Sequence, residues 1–185
     1  MKKGKILATF GVSGSGKSTF TSTLIRLEPD RYVSVNRDKI RELLFSYTEE
    51  NIKDYYLRDD LYRLEQKVTE VQDVLIKMFL KQGKRVILDN TNLRLRDIKD
   101  LMKYGVDINV LIMDVDLSVA LERDSLRTRK VGSEIIEKQY NTFTANRPKL
   151  FKLREDYNKS LLNRLGLFRD PEILVYDDPH NVFLS

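Results

Sequence analysis

The sequence predicts a three-layer α/β/α domain built on a parallel sheet of about five strands. Three observations carry that expectation. Short apolar runs alternate with segments of helical period along the chain, and strands separated by helices must lie parallel. The first strand-to-helix junction holds a glycine-rich loop, Gly11-Val12-Ser13-Gly14-Ser15-Gly16-Lys17-Ser18. At 185 residues, 41% of them hydrophobic and 33% charged, the chain is long enough for one buried core and too short for two ordinary domains. Residues 1–185 are therefore expected to form one domain.

The elements follow in order. Lys5 to Phe10 is short, apolar and followed by the glycine-rich turn, as suits a buried strand, and Lys17 to Leu27 has helical composition ended by Pro29. Tyr32 to Val35 is β-branched and aromatic, a second strand, and Asp38 to Phe45 places Ile40, Leu43 and Leu44 on one helical face. From Glu49 to Leu80 the positions Leu57, Leu61, Leu64, Val68, Val71, Leu75 and Met78 step by four and three. That stripe predicts one long helix, laid against a sheet face or, as the alternative, paired in a coiled coil. Val86 to Leu88 and Ile108 to Met113 read as two further buried strands, each followed by a helix-like segment, and Glu172 to Tyr176 as the last strand. Arg147 to Leu165 mixes basic and apolar residues and reads as an amphipathic packing helix, with a basic surface for nucleic acid as its alternative. Gly83, Gly105, Gly132 and Gly166 punctuate connections, and there is no repeat or low-complexity segment.

Composition excludes several classes of protein. Thirty-three basic against 28 acidic residues leave a net charge of +5, which favours a polyanionic partner without demanding one. With no cysteine, disulfides and thiolate metal sites are ruled out, and a reducing compartment is compatible. The apolar run Ile6 to Phe10 is too short for an export signal, and none approaches the roughly 20 residues that span a bilayer. A soluble, cytoplasmic chain without a membrane partner is expected, with homo-oligomerisation left open.

The chemistry begins at Gly11 to Ser18, which satisfies G-x-x-x-x-G-K-[ST] between a strand and a helix. Phosphates need a concave array of backbone N–H groups, and small residues let the backbone wrap that closely. Gly11, Ser13, Gly14, Ser15, Gly16, Lys17, Ser18 and Thr19 are the candidate nucleotide-binding residues. Lys17 is expected to reach the β- and γ-phosphates of ATP, and the Ser18 hydroxyl to ligate Mg²⁺.

Ligands of such sheets bind at the carboxyl ends of the strands, which directs attention to the other junctions. After the second strand come Asn36, Arg37 and Asp38, with Arg41 one turn on. Asp38 could accept a hydroxyl proton and Arg41 could grip a phosphate; the alternative is a helix cap at Asp38 paired with Arg41 at i, i+3. The third strand ends in Asp89-Asn90-Thr91-Asn92, where Asp89 is the candidate for the metal's water shell or for orienting substrate. Asp114 also closes an apolar run, and reads as a strand-end turn residue. Arg123 and Arg127, four apart in the stretch from Asp116, lead through Thr128-Arg129-Lys130-Val131 to Gly132 and suit an arginine-bearing lid over the phosphates; a solvated basic face is the alternative.

Taken together, the phosphate loop Gly11 to Thr19, Asn36-Arg37-Asp38 with Arg41, Asp89 to Asn92, and the arginines of Leu121 to Arg127 resemble the kinase domain of the polynucleotide 5′-hydroxyl kinases. That family includes phage end-healing enzymes and animal strand-break repair enzymes. The resemblance implies a P-loop NTPase fold of adenylate-kinase type and transfer of the ATP γ-phosphoryl group, with Mg²⁺, to the 5′-OH end of DNA or RNA. It places Lys17 and Ser18 on phosphates and metal, Asp38 as general base, and Arg41 on the phosphate of the acceptor's terminal nucleotide. Arg127 falls on the donor phosphates with Arg123 in support, and the motif Asp89 to Asn92, Asn92 included, on the substrate. Some phage members carry the third-strand acid one residue later, where this chain has Asn90.

Many members also carry a 3′-phosphatase domain with the signature D-x-D-x-[TV], which Asp114-Val115-Asp116-Leu117-Ser118 nearly matches. Ser118 departs from it, the segment lies at the fourth strand-to-helix junction, and no remaining stretch could build a second core. His180 reads as a surface residue. Two other functions fit the same motifs: a P-loop kinase of a nucleoside, nucleotide or sugar derivative, and a nucleotide-dependent regulatory protein.

Overall fold

In the computed structural model, residues 4–47, 51–127 and 130–152 are described in full, and 153–163 and 172–176 by their backbone. Five strands, β1 (Lys5–Phe10), β2 (Tyr32–Ser34), β3 (Arg85–Asn92), β4 (Ile108–Met113) and β5 (Glu172–Tyr176), form one sheet in the order β2-β3-β1-β4-β5. Every neighbouring pair is parallel. The helices are α1 (Lys17–Leu27), α2 (Arg37–Phe45), α3 (Ile52–Tyr56), α4 (Leu61–Lys81), α5 (Leu95–Lys99), α6 (Leu117–Ser125) and α7 (Ser133–Asn163), with a short 3-10 helix over Asp100–Tyr104.

The strand order reverses direction at β2. Because such crossovers are right-handed, the reversal sends α1 to one face of the sheet and the later crossover helices to the other, which makes the three layers. β1 lies between β3 and β4, both reached by long-range crossovers, so the glycine-rich loop and the ends of β3 and β4 meet at one edge. The core is a continuous aliphatic cluster in which Ile6, Ala8, Phe10, Val86, Val110 and Ile112 from the central strands are all 0% exposed. Ile136, Phe143 and Leu150, seven residues apart, cover it from α7, so this helix packs as an amphipathic element. It starts well before Arg147 and continues through Pro148.

Three expectations need correction. The apolar stripe from Glu49 to Leu80 is two helices, not one. Ile52 and Tyr55 turn into a small second core with Leu64, and Arg58, paired through Nε and Nη2 with Asp60, closes the bend between α3 and α4. Leu57 is consequently left 80% exposed, while Val68, Val71, Leu75 and Ile76 of α4 lie against the sheet core. A coiled-coil seam is thus not how this stripe is used. On α2 only Ile40 of the expected apolar face is buried; Leu43 is exposed and the other buried residue is Arg41, because the helix turns a charged side toward α4. The third strand runs on past Leu88 through Asn92, with a register shift against β1 between the pairs Ala8↔Leu88 and Phe10↔Asn92. Between those pairs one residue of β1, Thr9, stands against three of β3, so Asp89 to Thr91 bulge out at the edge where the loop sits.

No helix among the described residues is long and apolar enough to cross a membrane. His180 and Arg164 to Gly166 lie outside the described residues.

Candidate active site

The loop between β1 and α1 is shaped by three glycines in the left-handed half of backbone space, Gly11 at φ 144°, Gly14 at 84° and Gly16 at 95°. Two of them are also required by packing. A Cβ on Gly11 would lie 2.5 Å from the Met113 carbonyl oxygen, and one on Gly14 would lie 2.4 Å from that of Ala120, so no other residue fits without moving β4 or α6. Gly16 stands at the N-cap of α1, whose first turn carries Lys17 and Ser18. The positive end of that helix therefore opens into the loop.

Lys17 is 7% exposed, and its Nζ donates to the carbonyl oxygens of Gly11 (2.8 Å) and Val12 (2.7 Å) and to Ser15 Oγ (3.3 Å). Burial, and to a smaller extent Arg127, lower its pKa to about 8 against the pull of Asp89. Asp89 and Arg127 are thus electrostatic neighbours of the loop lysine although they come from β3 and from beyond α6. Ser18 and Thr19 are exposed on the first turn of α1; Ser18 is on the wall of the cavity described below and Thr19 is not. Thr21 Oγ1 donates to Asp89 Oδ2 at 3.4 Å, and Asn36 Nδ2 to the Asp89 carbonyl at 2.9 Å. Asn92 Nδ2 donates to the Thr9 carbonyl at 3.0 Å, which ties the β3 bulge to β1. Asp114, the competing acid, is ion-paired with Arg147 of α7 and so fastens that helix to the end of β4.

One cavity of about 1330 Å³ joins these groups. Lys17, Ser18, Asp38, Arg41, Asp89, Asn92 and Arg127 all line it. Arg123 does not, and Arg127 lies past the end of α6 at Ser125, so the two arginines do not share a helical face. Asp124 holds the two residues that precede α7. This carboxylate is 4% exposed and accepts the backbone N–H groups of Val131 and Gly132 at 3.0 Å.

On the other wall Asn36, not Asp38, caps α2: its Oδ1 accepts the N–H groups of Asp38 (2.8 Å) and Lys39 (3.1 Å). Asp38 is one residue inside the helix and 60% exposed at its side chain, with Oδ1 2.7 Å from Arg41 Nη1. Arg41 is 8% exposed, and Glu65 of α4 takes its other edge, Nε at 2.8 Å and Nη2 at 3.0 Å. Tyr55 Oη and Arg37 Nη2 donate to the same carboxylate at 2.7 and 2.6 Å. Burial would raise the Glu65 pKa, but the hydrogen bonds from Arg41, Tyr55 and Arg37 bring it down to about 2. Burial and the bond to Glu65 push the Tyr55 hydroxyl up to about 12, and Arg41, which burial would lower, is held above its usual value by Glu65.

Sequence reasoning missed Glu65, Gln139 and Asp124. Glu65 sits on the polar side of a helix read for its apolar stripe, and only the contact of α4 with α2 brings it to Arg41. Gln139 Oε1 accepts the Ser13 N–H at 2.8 Å across 126 residues of chain, and no local pattern marks it. Asp124 lies between the two arginines and looks like any helix carboxylate.

The sequence matches the model of a family described as AAA domain over residues 6–150. No curated protein matches it. Among solved structures, one titled "Structure of the Pnkp1/Rnl/Hen1 RNA repair complex" is 26% identical with a TM-score of 0.65, over 80% of this chain and 47% of that one. A second, of a Pnkp1/Rnl/Hen1 complex, is 29% identical with a TM-score of 0.55, over 71% of this chain and 42% of that one. The chain thus spans less than half the length of either. A gluconokinase from Sinorhizobium meliloti 1021 shares the fold, with 19% identity, a TM-score of 0.53 and coverage of 96% and 85%.

Proposed function

As a member of the AAA domain family with a P-loop kinase fold, we propose, this chain transfers the γ-phosphoryl group of ATP to the 5′-hydroxyl end of a polynucleotide, DNA or RNA. One observation carries the reading: a phosphate nest with Lys17 and Ser18 shares a single cavity with an acid and an arginine, Asp38 and Arg41, on the facing wall. The nest suits the donor. The pair suits an acceptor that brings a hydroxyl and a phosphate together, as the terminal nucleotide of a strand does.

In this reading Lys17 exchanges its loop carbonyls for β- and γ-phosphate oxygens, and Arg127 meets the donor phosphates from beyond α6. Arg123, off the cavity wall, supports Arg127. Asp38 takes the proton of the attacking hydroxyl. Arg41 has five N–H groups in a fixed fork, and its terminal nitrogens each carry a second N–H besides those directed at Asp38 and Glu65. These are the donors an acceptor phosphate meets. Asp89 and Asn92 border the acceptor side of the nest.

Mg²⁺ fits the donor set. Among the described residues no group of three or more acidic, His or Cys side chains could hold a metal, but Mg²⁺ keeps several waters and takes few protein ligands beside substrate phosphates. Ser18 would hold it and Asp89 its waters; the ion would neutralise charge on the phosphates. The likeness to the Pnkp1 structures supports the polynucleotide acceptor over a small one, while the shared fold of the gluconokinase keeps a small-molecule acceptor as the competitor.

The test is transfer of labelled γ-phosphate to 5′-OH DNA, 5′-OH RNA, and a panel of nucleosides, nucleotides and sugars in parallel. Higher kcat/KM for an oligonucleotide than for any free small molecule is expected, and the reverse order would overturn the assignment.

A further inference from the structure

The acceptor wall carries an aromatic ring that the proposed chemistry does not use. Tyr55 and Tyr56 are adjacent at the end of α3 but have opposite fates: Tyr55 is 0% exposed, whereas Tyr56 is 49% exposed and lines the cavity beside Asp38 and Arg41. Tyr56 is also held in place. Its ring meets Tyr55 edge-on, with centroids 5.4 Å apart and planes at 82°, and the Arg41 guanidinium carbon lies 5.7 Å from its centroid. Tyr55 itself is fixed by Phe45 (5.9 Å, stacked) and Tyr47 (5.0 Å, edge-on) and by its bond to Glu65. A half-exposed aromatic at a cavity wall leaves apolar area in water, and here that area is rigid. A rigid ring loses little entropy when a flat partner lands on it.

We propose that Tyr56 is the stacking platform for the nucleobase of the acceptor's terminal nucleotide. The inference rests on the polynucleotide reading of the acceptor and adds a base subsite to it. Its geometry follows from Arg41: a phosphate on that guanidinium and a base on the neighbouring ring belong to one nucleotide, because the two groups are only 5.7 Å apart. Stacking is tolerant of sequence, since every base has a π-face, so the subsite would demand a base without choosing one.

The test compares two 5′-OH oligonucleotides that differ only at the terminal nucleotide, one with a base and one with an abasic tetrahydrofuran residue. Stacking of one base corresponds to roughly tenfold in kcat/KM or more, so the wild type should prefer the base-bearing acceptor by about that factor. Tyr56→Ala should bring the ratio close to one, and Tyr56→Phe should restore it. Binding gives an independent readout: 2-aminopurine at the terminal position should be quenched on the wild type and on Tyr56→Phe, and not on Tyr56→Ala. Equal use of the two acceptors by the wild type, or an unchanged ratio in Tyr56→Ala, overturns the platform while leaving a polynucleotide kinase standing. Failure to phosphorylate any oligonucleotide, with a small molecule accepted instead, overturns both.

Discussion

A buried ammonium with nothing anionic in direct contact is the most telling single group in this protein. Lys17 touches only neutral oxygens and its pKa falls to about 8, so the loop holds a charge at a cost that bound phosphates would offset. The sign follows from the direction of the shift. The unfolded chain keeps this proton up to its ordinary pKa of 10.5, the folded chain releases it near 8, and the folded state therefore gains from Lys17 as pH rises between those values. We predict that Lys17→Met abolishes transfer to every acceptor, and that its Tm relative to wild type, measured without nucleotide, declines from pH 8 to pH 10.5. A difference in Tm that is flat with pH would contradict the buried-charge account. Asp38 offers the complementary case. Since Asn36 caps α2, Asp38→Asn keeps the cap and keeps an acceptor oxygen for Arg41, and what it loses is basicity. Transfer should fall by about two orders of magnitude with ATP affinity nearly unchanged; turnover at the wild-type rate would return Asp38 to a purely structural role.

Between elements, the decisive contact is α2 on α4. Glu65 holds Arg37, Arg41 and Tyr55 at once, so two helices and α3 are locked through one carboxylate. A guanidinium pinned along its Nε and Nη2 edge presents its remaining donors in one direction, which an unpinned arginine of the same charge would not. Glu65 acts through Arg41 and is a positioning residue. Glu65→Gln should lose about tenfold in preference for an acceptor bearing a 3′-phosphate over the bare nucleoside, within the range expected for a charge-assisted contact. Combined with Arg41→Ala it should cost nothing further in that preference, whereas additive losses would show that Glu65 works by another route. Asp124 joins α6 to the start of α7 in the same manner, its carboxylate accepting the N–H groups of Val131 and Gly132.

At the scale of the whole molecule, the net charge of +5 is modest, and binding of a strand should be correspondingly graded with salt. We expect oligonucleotide affinity to fall more steeply with salt than that of a nucleoside 3′-monophosphate, because only the longer acceptor releases several counterions. Parallel slopes in a fluorescence titration would mean that the cavity meets one nucleotide and no more. By itself the sequence determined what is local: the strand and helix periods, the nest of Gly11 to Ser18, and which acids and arginines stand at strand ends. Each of these is written in residues that neighbour one another along the chain, and so is legible without a fold. Tertiary structure alone decided what depends on distant residues meeting. It split the stripe at Leu57 because Tyr55 found a second core, and it chose Asn36 over Asp38 as the cap. It committed Asp114 to Arg147 and left Asp89 bulged out of β3 toward the loop lysine. It also brought Glu65 to Arg41 and Gln139 to Ser13, across 24 and 126 residues of chain. Hydrogen bonds and ion pairs of this range leave no period in a sequence, because any polar residue on a helix surface satisfies the local rules equally well until packing selects its partner.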